Sequence, residues 1–222
     1  MAQMMLFALG ITELRDIFGA APELADRLRA AACARLPPLT RKQPGRGSLL
    51  GRIGPILKRP IEPTAPIPDR PAEFDVENLL AARTVAPGRL AYAWQITLGW
   101  LADLSWGQIE LELDERGLTQ VEFDLARAGL PARLGLERLL QGNPQVPLQT
   151  PPGQRFGYAK HAHVEQTRSA LAEIEAEVPE QSRPLVARLL EFLGRFAAWA
   201  ELAEQAGRPA PDLIVVWPQA RG

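Results

Sequence analysis

The sequence predicts an α+β fold: a mostly helical single domain, residues 1–222, with a small sheet and a Pro/Gly-rich basic arm. Its length of 222 residues is ordinary for one domain. Apolar residues make up 46% of the chain, which is enough for a sizeable core. Short apolar runs with strand character lie at both ends and between helical patterns.

The first elements are a strand and two helices. The apolar run Met4–Leu9 predicts a short buried strand. Thr12 is a suitable N-cap for a brief helix that ends at Gly19. Pro22 suits the first position of the next helix, which we expect to end at the Pro37–Pro38 pair.

The composition changes over residues 37–72, where we predict a long loop or arm, or an insertion within the domain. Nine of the chain's 21 prolines lie there together with several glycines, and both residue types disfavour helices and inner strands. Basic residues occur between residues 41 and 59 without any acidic residue, although the whole chain carries a net charge of −1. Five large aliphatic residues lie in the same stretch and need something to pack against. We therefore expect the arm to bind another protein or a second copy of the chain through Arg41, Lys42, Arg46, Leu49, Leu50, Arg52, Ile53, Ile56, Leu57, Lys58 and Arg59.

The middle of the chain predicts helices and one strand. Asp75 is expected to cap a helix that runs to Arg83. Pro87 opens a helix, Gly88–Leu104, whose apolar residues point in almost every direction, as in a central buried helix. Apolar and acidic residues then alternate over Ile109–Leu113, which is the period of a strand.

Two short helices are predicted next. Residues 114–117 have the composition of a turn, and Thr119 with Glu122 forms a capping-box pattern. This pattern predicts a helix that stops near Gly129. A second short helix is expected over Arg133–Leu140.

The last part of the chain predicts two strands and two helices. The strands are Arg155–Ala159 and Leu213–Trp217, and the helix His163–Val178 lies between them. Ser182 is expected to cap one long helix that ends at Gly207. Because a short isolated strand leaves its backbone groups unpaired, we expect all four strands to form one sheet.

Two terminal regions resemble a known family. These are LFALGITELRDIFGAAPELADRL near the start, and VPLQTPPGQRFGYAKHAHVEQTRSALAEI with PDLIVVW near the end. They resemble the YfbM-like family of bacterial domains of unknown function, whereas the Pro-rich middle departs from its pattern. The resemblance implies a compact α+β domain without an established activity, so it assigns no functional residue.

The only two histidines, His161 and His163, are weak candidates for metal ligands together with Glu165. On a strand, the two histidines would share a face and could hold zinc. On a helix, His161 and Glu165 would share a face instead. A distant carboxylate such as Asp103 or Asp114 would have to complete the site. The favoured interpretation is that these residues cap the N-terminus of the following helix, and we expect no metal or cofactor.

Other catalytic arrangements are not favoured by the sequence. No serine lies in a G-x-S-x-G elbow. Cys33 lies in an Ala-rich helix, where we expect a buried, inert thiol. Residues 45–51 are glycine-rich, but no strand precedes them and no Gly-Lys pair completes a phosphate loop.

We therefore expect a bacterial cytoplasmic protein whose role is to bind another protein, as accessory or immunity-like domains do. One alternative is a metal-dependent enzyme that uses His161, His163 and Glu165. The other is nucleic-acid contact through the basic arm, which is disfavoured because no aromatic residues interleave with the charges. No apolar run reaches the roughly 20 residues that a membrane span needs, so no membrane contact is expected.

Overall fold

A computed structural model describes residues 3–35 and 69–218, in which one sheet separates two layers of helices. This arrangement confirms the predicted α+β, mostly helical fold class. The first strand, β1 (Gln3–Leu9), contributes side chains to both cores, which explains its unbroken apolar run from Met4 to Leu9. Successive side chains of a strand point to opposite faces, so a strand covered on both sides is apolar at every position. Accordingly, Leu6 and Ala8 join one core while Phe7 and Leu9 join the other.

The described strands β1, β2 (Gln108–Glu112), β3 (Gln154–Ala159) and β4 (Asp212–Pro218) form one sheet, as predicted. The sheet is antiparallel and has the strand order β2-β1-β4-β3. In the register of the central pair, Met5 lies opposite Val216 and Leu9 lies opposite Asp212. β1 and β3 are both antiparallel to β4, so they run parallel to each other on its two sides.

The helices from the first half of the described chain cover one face of the sheet. The fourth of them is the central helix that the sequence predicted. It follows a 3-10 turn at Pro87–Arg89 and buries Trp94, Trp100 and Leu101 against this face. These helices are α1 (Ile11–Asp16), α2 (Pro22–Arg35), α3 (Glu73–Leu80) and α4 (Leu90–Leu104).

The later helices cover the other face. Their core includes three aromatic side chains, Phe192, Phe196 and Trp199, whose ring centroids lie 5.5–5.6 Å apart in edge-to-face contacts. These helices are α5 (Glu115–Arg127), α6 (Leu136–Leu140), α7 (His161–Ile174), α8 (Arg183–Leu193) and α9 (Phe196–Gln205).

The predicted cap of α1 is wrong. The helix begins at Ile11 after Gly10, and Thr12 lies inside it. Its first N–H groups are bound by carboxylates instead, because Glu13 accepts from the Gly10 N–H at 3.2 Å and Asp212 accepts from the Ile11 N–H at 2.9 Å. The sequence does not show that a residue 201 positions away supplies this contact.

The starts of α3 and α5 also differ from the prediction. Asp75 is the third residue of α3, where its carboxylate accepts from the Ala72 N–H at 2.9 Å. Asp114 is the N-cap of α5 and accepts from the Gly117 N–H at 2.7 Å, so residues 115–117 are helical and not a turn. Thr119 lies within α5, which ends before Gly129 as expected.

The predicted long C-terminal helix is in fact two helices, α8 and α9. They are separated at Gly194 and Arg195, where glycine has a low helix propensity. Ser182 does precede α8, but its side chain does not cap that helix. Similarly, α7 begins at His161, two residues earlier than predicted, because the carboxylate of Asp212 accepts from the His161 N–H.

Two further expectations concern surface regions. Cys33 is exposed, contrary to the buried thiol that we expected.

The predicted arm lies outside the described residues, except for residues 69–72, which lead into α3. In the described ranges, we find no helix with the length and apolar character needed to span a membrane.

Candidate protein-interaction surface

Both ends of the segment 36–68 are attached to the same helix, α4. Before this segment, Arg35 at the end of α2 forms an ion pair with Asp103 in the last turn of α4. After it, Asp69 accepts a hydrogen bond from the hydroxyl of Tyr92 in the first turn of α4. Residues 92 and 103 of a helix lie about 16 Å apart along its axis. The helix therefore fixes where the segment leaves the described fold and where it returns.

A buried ion pair anchors the return end. Arg89 donates from Nε to Asp75 at 2.9 Å, and it also donates to the backbone carbonyl of Arg70 at 2.7 Å. The Asp75 side chain is only 1% exposed and that of Arg89 is 10% exposed. The hydrogen bond from Arg89 to Asp75 raises the pKa of Arg89, so the guanidinium stays charged. Removing either partner would leave a buried charge uncompensated and would destabilise the fold at this end of the segment.

Aromatic rings flank the same guanidinium at the surface. The Cζ atom of Arg89 lies 4.2 Å from the ring centroid of Tyr92 and 4.9 Å from that of Phe74, which are cation–π distances. Phe74 is 41% exposed although it is a large apolar residue. We call these three residues the Phe74–Arg89–Tyr92 cluster. Aromatic residues and arginine are the types enriched at the energetic centres of protein interfaces.

A groove between α2 and α4 lies beside the two ends of the segment. Its volume is about 110 Å³, and its lining includes Ala32, Arg35, Pro71, Ile96 and Gly99. A Cβ atom at position 99 would lie 2.7 Å from Nη1 of Arg35, so the absent side chain lets the guanidinium cross close to the helix. Residues three or four apart share a helix face, and the face of α4 that meets this region carries Tyr92, Ile96, Gly99 and Asp103.

The predicted binding residues between Arg41 and Arg59 lie outside the described residues. The sequence analysis missed the Phe74–Arg89–Tyr92 cluster entirely. One signal was available, because Phe74 falls outside the buried face of α3 formed by Val76 and Leu79. An apolar residue off the core face of an amphipathic helix indicates a surface contact.

The structure places the histidine candidates on the first turn of α7, whose N-cap is Lys160, so the prediction that they cap this helix is wrong. The alternative in which both histidines share one face of a strand is therefore wrong, because both residues are helical and residues two apart on a helix point in different directions. The Nδ1 atom of His161 lies 3.0 Å from the carbonyl oxygen of Pro211. Glu165 accepts from Arg168 at 3.1 Å. In the described part of the chain, no group of three or more His, Cys, Asp and Glu residues is arranged to hold a metal ion.

Asp212 connects the start of α7 to the start of α1. One carboxylate oxygen accepts from the His161 N–H at 2.9 Å, and the other accepts from the Ile11 N–H at 2.9 Å. Asp212 is the first residue of β4, which lies between β1 and β3. Because both neighbouring strands lead into their helices after one residue, a single carboxylate binds two helix N-termini, where negative charge is favourable.

A second carboxylate joins α5 to the start of α8. Asp124 is buried and accepts hydrogen bonds from Ser182 at 2.6 Å, Gln181 at 2.9 Å and Gln120 at 3.0 Å. These donors, with Ser182 the largest contribution, stabilise the ionised form and lower the pKa of Asp124. The cluster fastens two helices of one layer to each other.

No protein-family model, no curated protein and no solved structure matches the chain. The resemblance of the terminal segments to the YfbM-like family therefore stays a prediction, and the functional argument depends on the geometry described above.

Proposed function

We propose that this chain works by binding another protein, through the basic stretch of residues 41–59 together with the adjoining surface of α4. The observation that carries the proposal is the attachment of both ends of the segment 36–68 to α4, by Arg35–Asp103 and by Tyr92–Asp69. The helix thus fixes two points, about 16 Å apart along its axis, between which the predicted binding residues lie in the sequence.

The Phe74–Arg89–Tyr92 cluster supports the proposal by its composition and its rigidity. Its arginine is fixed by the buried carboxylate of Asp75, and its phenylalanine is exposed. An exposed aromatic side chain held in one position loses little conformational entropy when a partner covers it. We infer that the cluster is the apolar anchor of the interface.

The charge pattern predicts the chemistry of the partner. The stretch 41–59 carries Arg41, Lys42, Arg46, Arg52, Lys58 and Arg59 and no acidic residue. An acidic protein surface is the complementary partner. Electrostatic attraction of this kind acts mainly on the association rate, so association with the partner should slow as salt rises.

The test is a comparative capture experiment with the full-length chain as bait. Phe74→Ala removes the apolar anchor, and replacement of residues 41–59 by a Gly/Ser linker removes the basic stretch. Phe123→Ala is the matched control, because Phe123 is even more exposed at 57% but lies on α5, on the other face of the sheet. We expect the wild type and the control Phe123→Ala to capture a protein that neither test variant captures.

The captured protein is then purified, and its binding to each variant is measured at low and high salt. The proposal is refuted if the test variants stay folded and bind every wild-type partner with unchanged affinity. It is also refuted if the basic stretch binds nucleic acid in place of protein. In that case the wild type would retain single-stranded or duplex DNA, and the linker variant would not.

A further inference from the structure

A second groove lies on the other side of α4, over the edge of the sheet. Its volume is about 240 Å³, and it is lined by Met5 of β1, by Leu98 and Ala102 of α4, and by Gln108 and Glu110 of β2. β2 is an edge strand of the sheet. This part of the sheet face is therefore less completely covered than the centre, and Met5, Leu98 and Ala102 remain half-buried although they pack against the core.

The two grooves meet at Gly99, which lines both of them. Because glycine has no side chain, α4 offers no barrier at this position except the guanidinium of Arg35 that lies over it. Arg35 is also the last described residue before the segment 36–68. The chain therefore leaves the described fold directly at the junction of the two grooves.

The rim of the second groove carries one carboxylate among its described lining residues, that of Glu110. Glu110 is exposed, and among the described residues no ion pair to it is found. Its backbone carbonyl, in contrast, already accepts from Arg188 at 2.9 Å. Because this carbonyl is already occupied, an added strand would lack an acceptor there, whereas apolar side chains next to a positive charge would fit both the groove and the carboxylate of Glu110.

We propose that this second groove binds residues 49–59 of the same chain. These residues carry Leu49, Leu50, Ile53, Ile56 and Leu57 for the apolar floor, and one of the nearby cations Arg52, Lys58 and Arg59 can pair with the carboxylate of Glu110 on the rim. Distance does not prevent this contact, since the chain between Arg35 and Leu49 can extend about 45 Å at about 3.3 Å per residue. The aliphatic residues then attach the segment to α4 and leave the more distant basic residues Arg41, Lys42 and Arg46 to meet a partner.

The first experiment measures hydrogen–deuterium exchange of the backbone amides of residues 49–57 in the full-length wild type and in three variants. Glu110→Lys reverses the charge of the rim, and Ala102→Arg fills the groove and adds a like charge. Glu112→Lys is the matched control, because Glu112 is an exposed residue two positions along the same strand but does not line the groove. Melting curves of all variants show that each remains folded.

We expect these amides to exchange about tenfold or more slowly in the wild type and in Glu112→Lys than in a free peptide of the same sequence. Glu110→Lys and Ala102→Arg should lose most of this protection. The proposal is overturned if the wild-type amides exchange as fast as those of the free peptide, or if all four proteins protect them equally. Protection that rises with protein concentration, together with a dimer in light scattering, would overturn it in favour of a second copy as the source of the segment.

A second experiment supplies the segment separately. The chain in which a Gly/Ser linker replaces residues 49–59 is titrated into a fluorescent synthetic peptide of residues 47–60. We expect saturable binding that Glu110→Lys abolishes and Glu112→Lys preserves, and no binding or equal binding by all variants would overturn the proposal. The capture experiment with Phe74→Ala tests the proposed function independently, so either proposal can fail while the other stands.

Discussion

Asp212 gives the most direct test of how this fold is held together. One carboxylate accepts hydrogen bonds from the first N–H groups of α1 and α7, through Ile11 and His161. Replacing a capping side chain by alanine costs about 1 kcal/mol, within a range of about 0.5–2 kcal/mol. Asp212→Ala removes two such contacts and should lower the free energy of unfolding by about 2 kcal/mol. For a domain of this size, that corresponds to a decrease in Tm of about 4–8 °C.

Asp114 offers a matched control, since it caps only α5 and makes one such contact, to the Gly117 N–H at 2.7 Å. Asp114→Ala should therefore cost about half as much as Asp212→Ala. Asp212→Asn keeps one oxygen acceptor, so it should recover at most half of the loss. Urea unfolding of the three variants gives the comparison. The argument is refuted if Asp212→Ala costs no more than Asp114→Ala, because the second helix would then gain nothing from the shared carboxylate.

The remaining predictions concern the core, pH and metal binding. Trp94→Ala should cost about 3–5 kcal/mol in urea unfolding, since the side chain is buried, whereas the exposed control Phe123→Ala should change stability by less than about 0.5 kcal/mol. Because the pKa of Asp124 is lowered in the folded state, its ionised carboxylate stabilises the fold above the unfolded pKa of about 3.9, and this stability is lost as the pH falls through the folded-state pKa. Asp124→Asn should therefore flatten the acid limb of a curve of unfolding free energy against pH. Purified protein should retain no zinc through dialysis, since no group of three or more His, Cys, Asp and Glu residues in the described part of the chain is arranged to hold a metal ion; stoichiometric zinc that disappears in His161→Ala/His163→Ala would contradict this.

Periodicity predicted most of the fold, because the elements with strong patterns are those that the two cores require. The four strands and the buried helix α4 follow from apolar runs and from alternation. The ends of helices were predicted less well, because long-range contacts decide them. Thr12 has a suitable side chain for a cap, yet Glu13 and Asp212 satisfy the N–H groups at that position. The break at Gly194 was missed because the apolar stripe continues across it.

The candidate surface could be predicted only in part. Charge and aliphatic content predict the stretch 41–59 from local sequence alone, and this prediction concerns residues outside the described ranges. The cluster around Arg89 could not be found in this way, since it forms only when α3 and α4 pack and bring Asp75 to the guanidinium. The groove beside Glu110 likewise requires the pairing of β1 with β2, which lie about 100 residues apart in the sequence.

The position of β4 has a consequence for biosynthesis. β1 is made early, but its partner on one side, β4, is made last among the described elements, and β3 has no described strand partner except β4. The middle of the sheet must therefore stay open until residues 212–218 have left the ribosome. Until then, β1 exposes an apolar edge that can pair with other chains. A nascent chain stalled before residue 212 should thus be a substrate for chaperones and proteases even though most of its helices have already been synthesised.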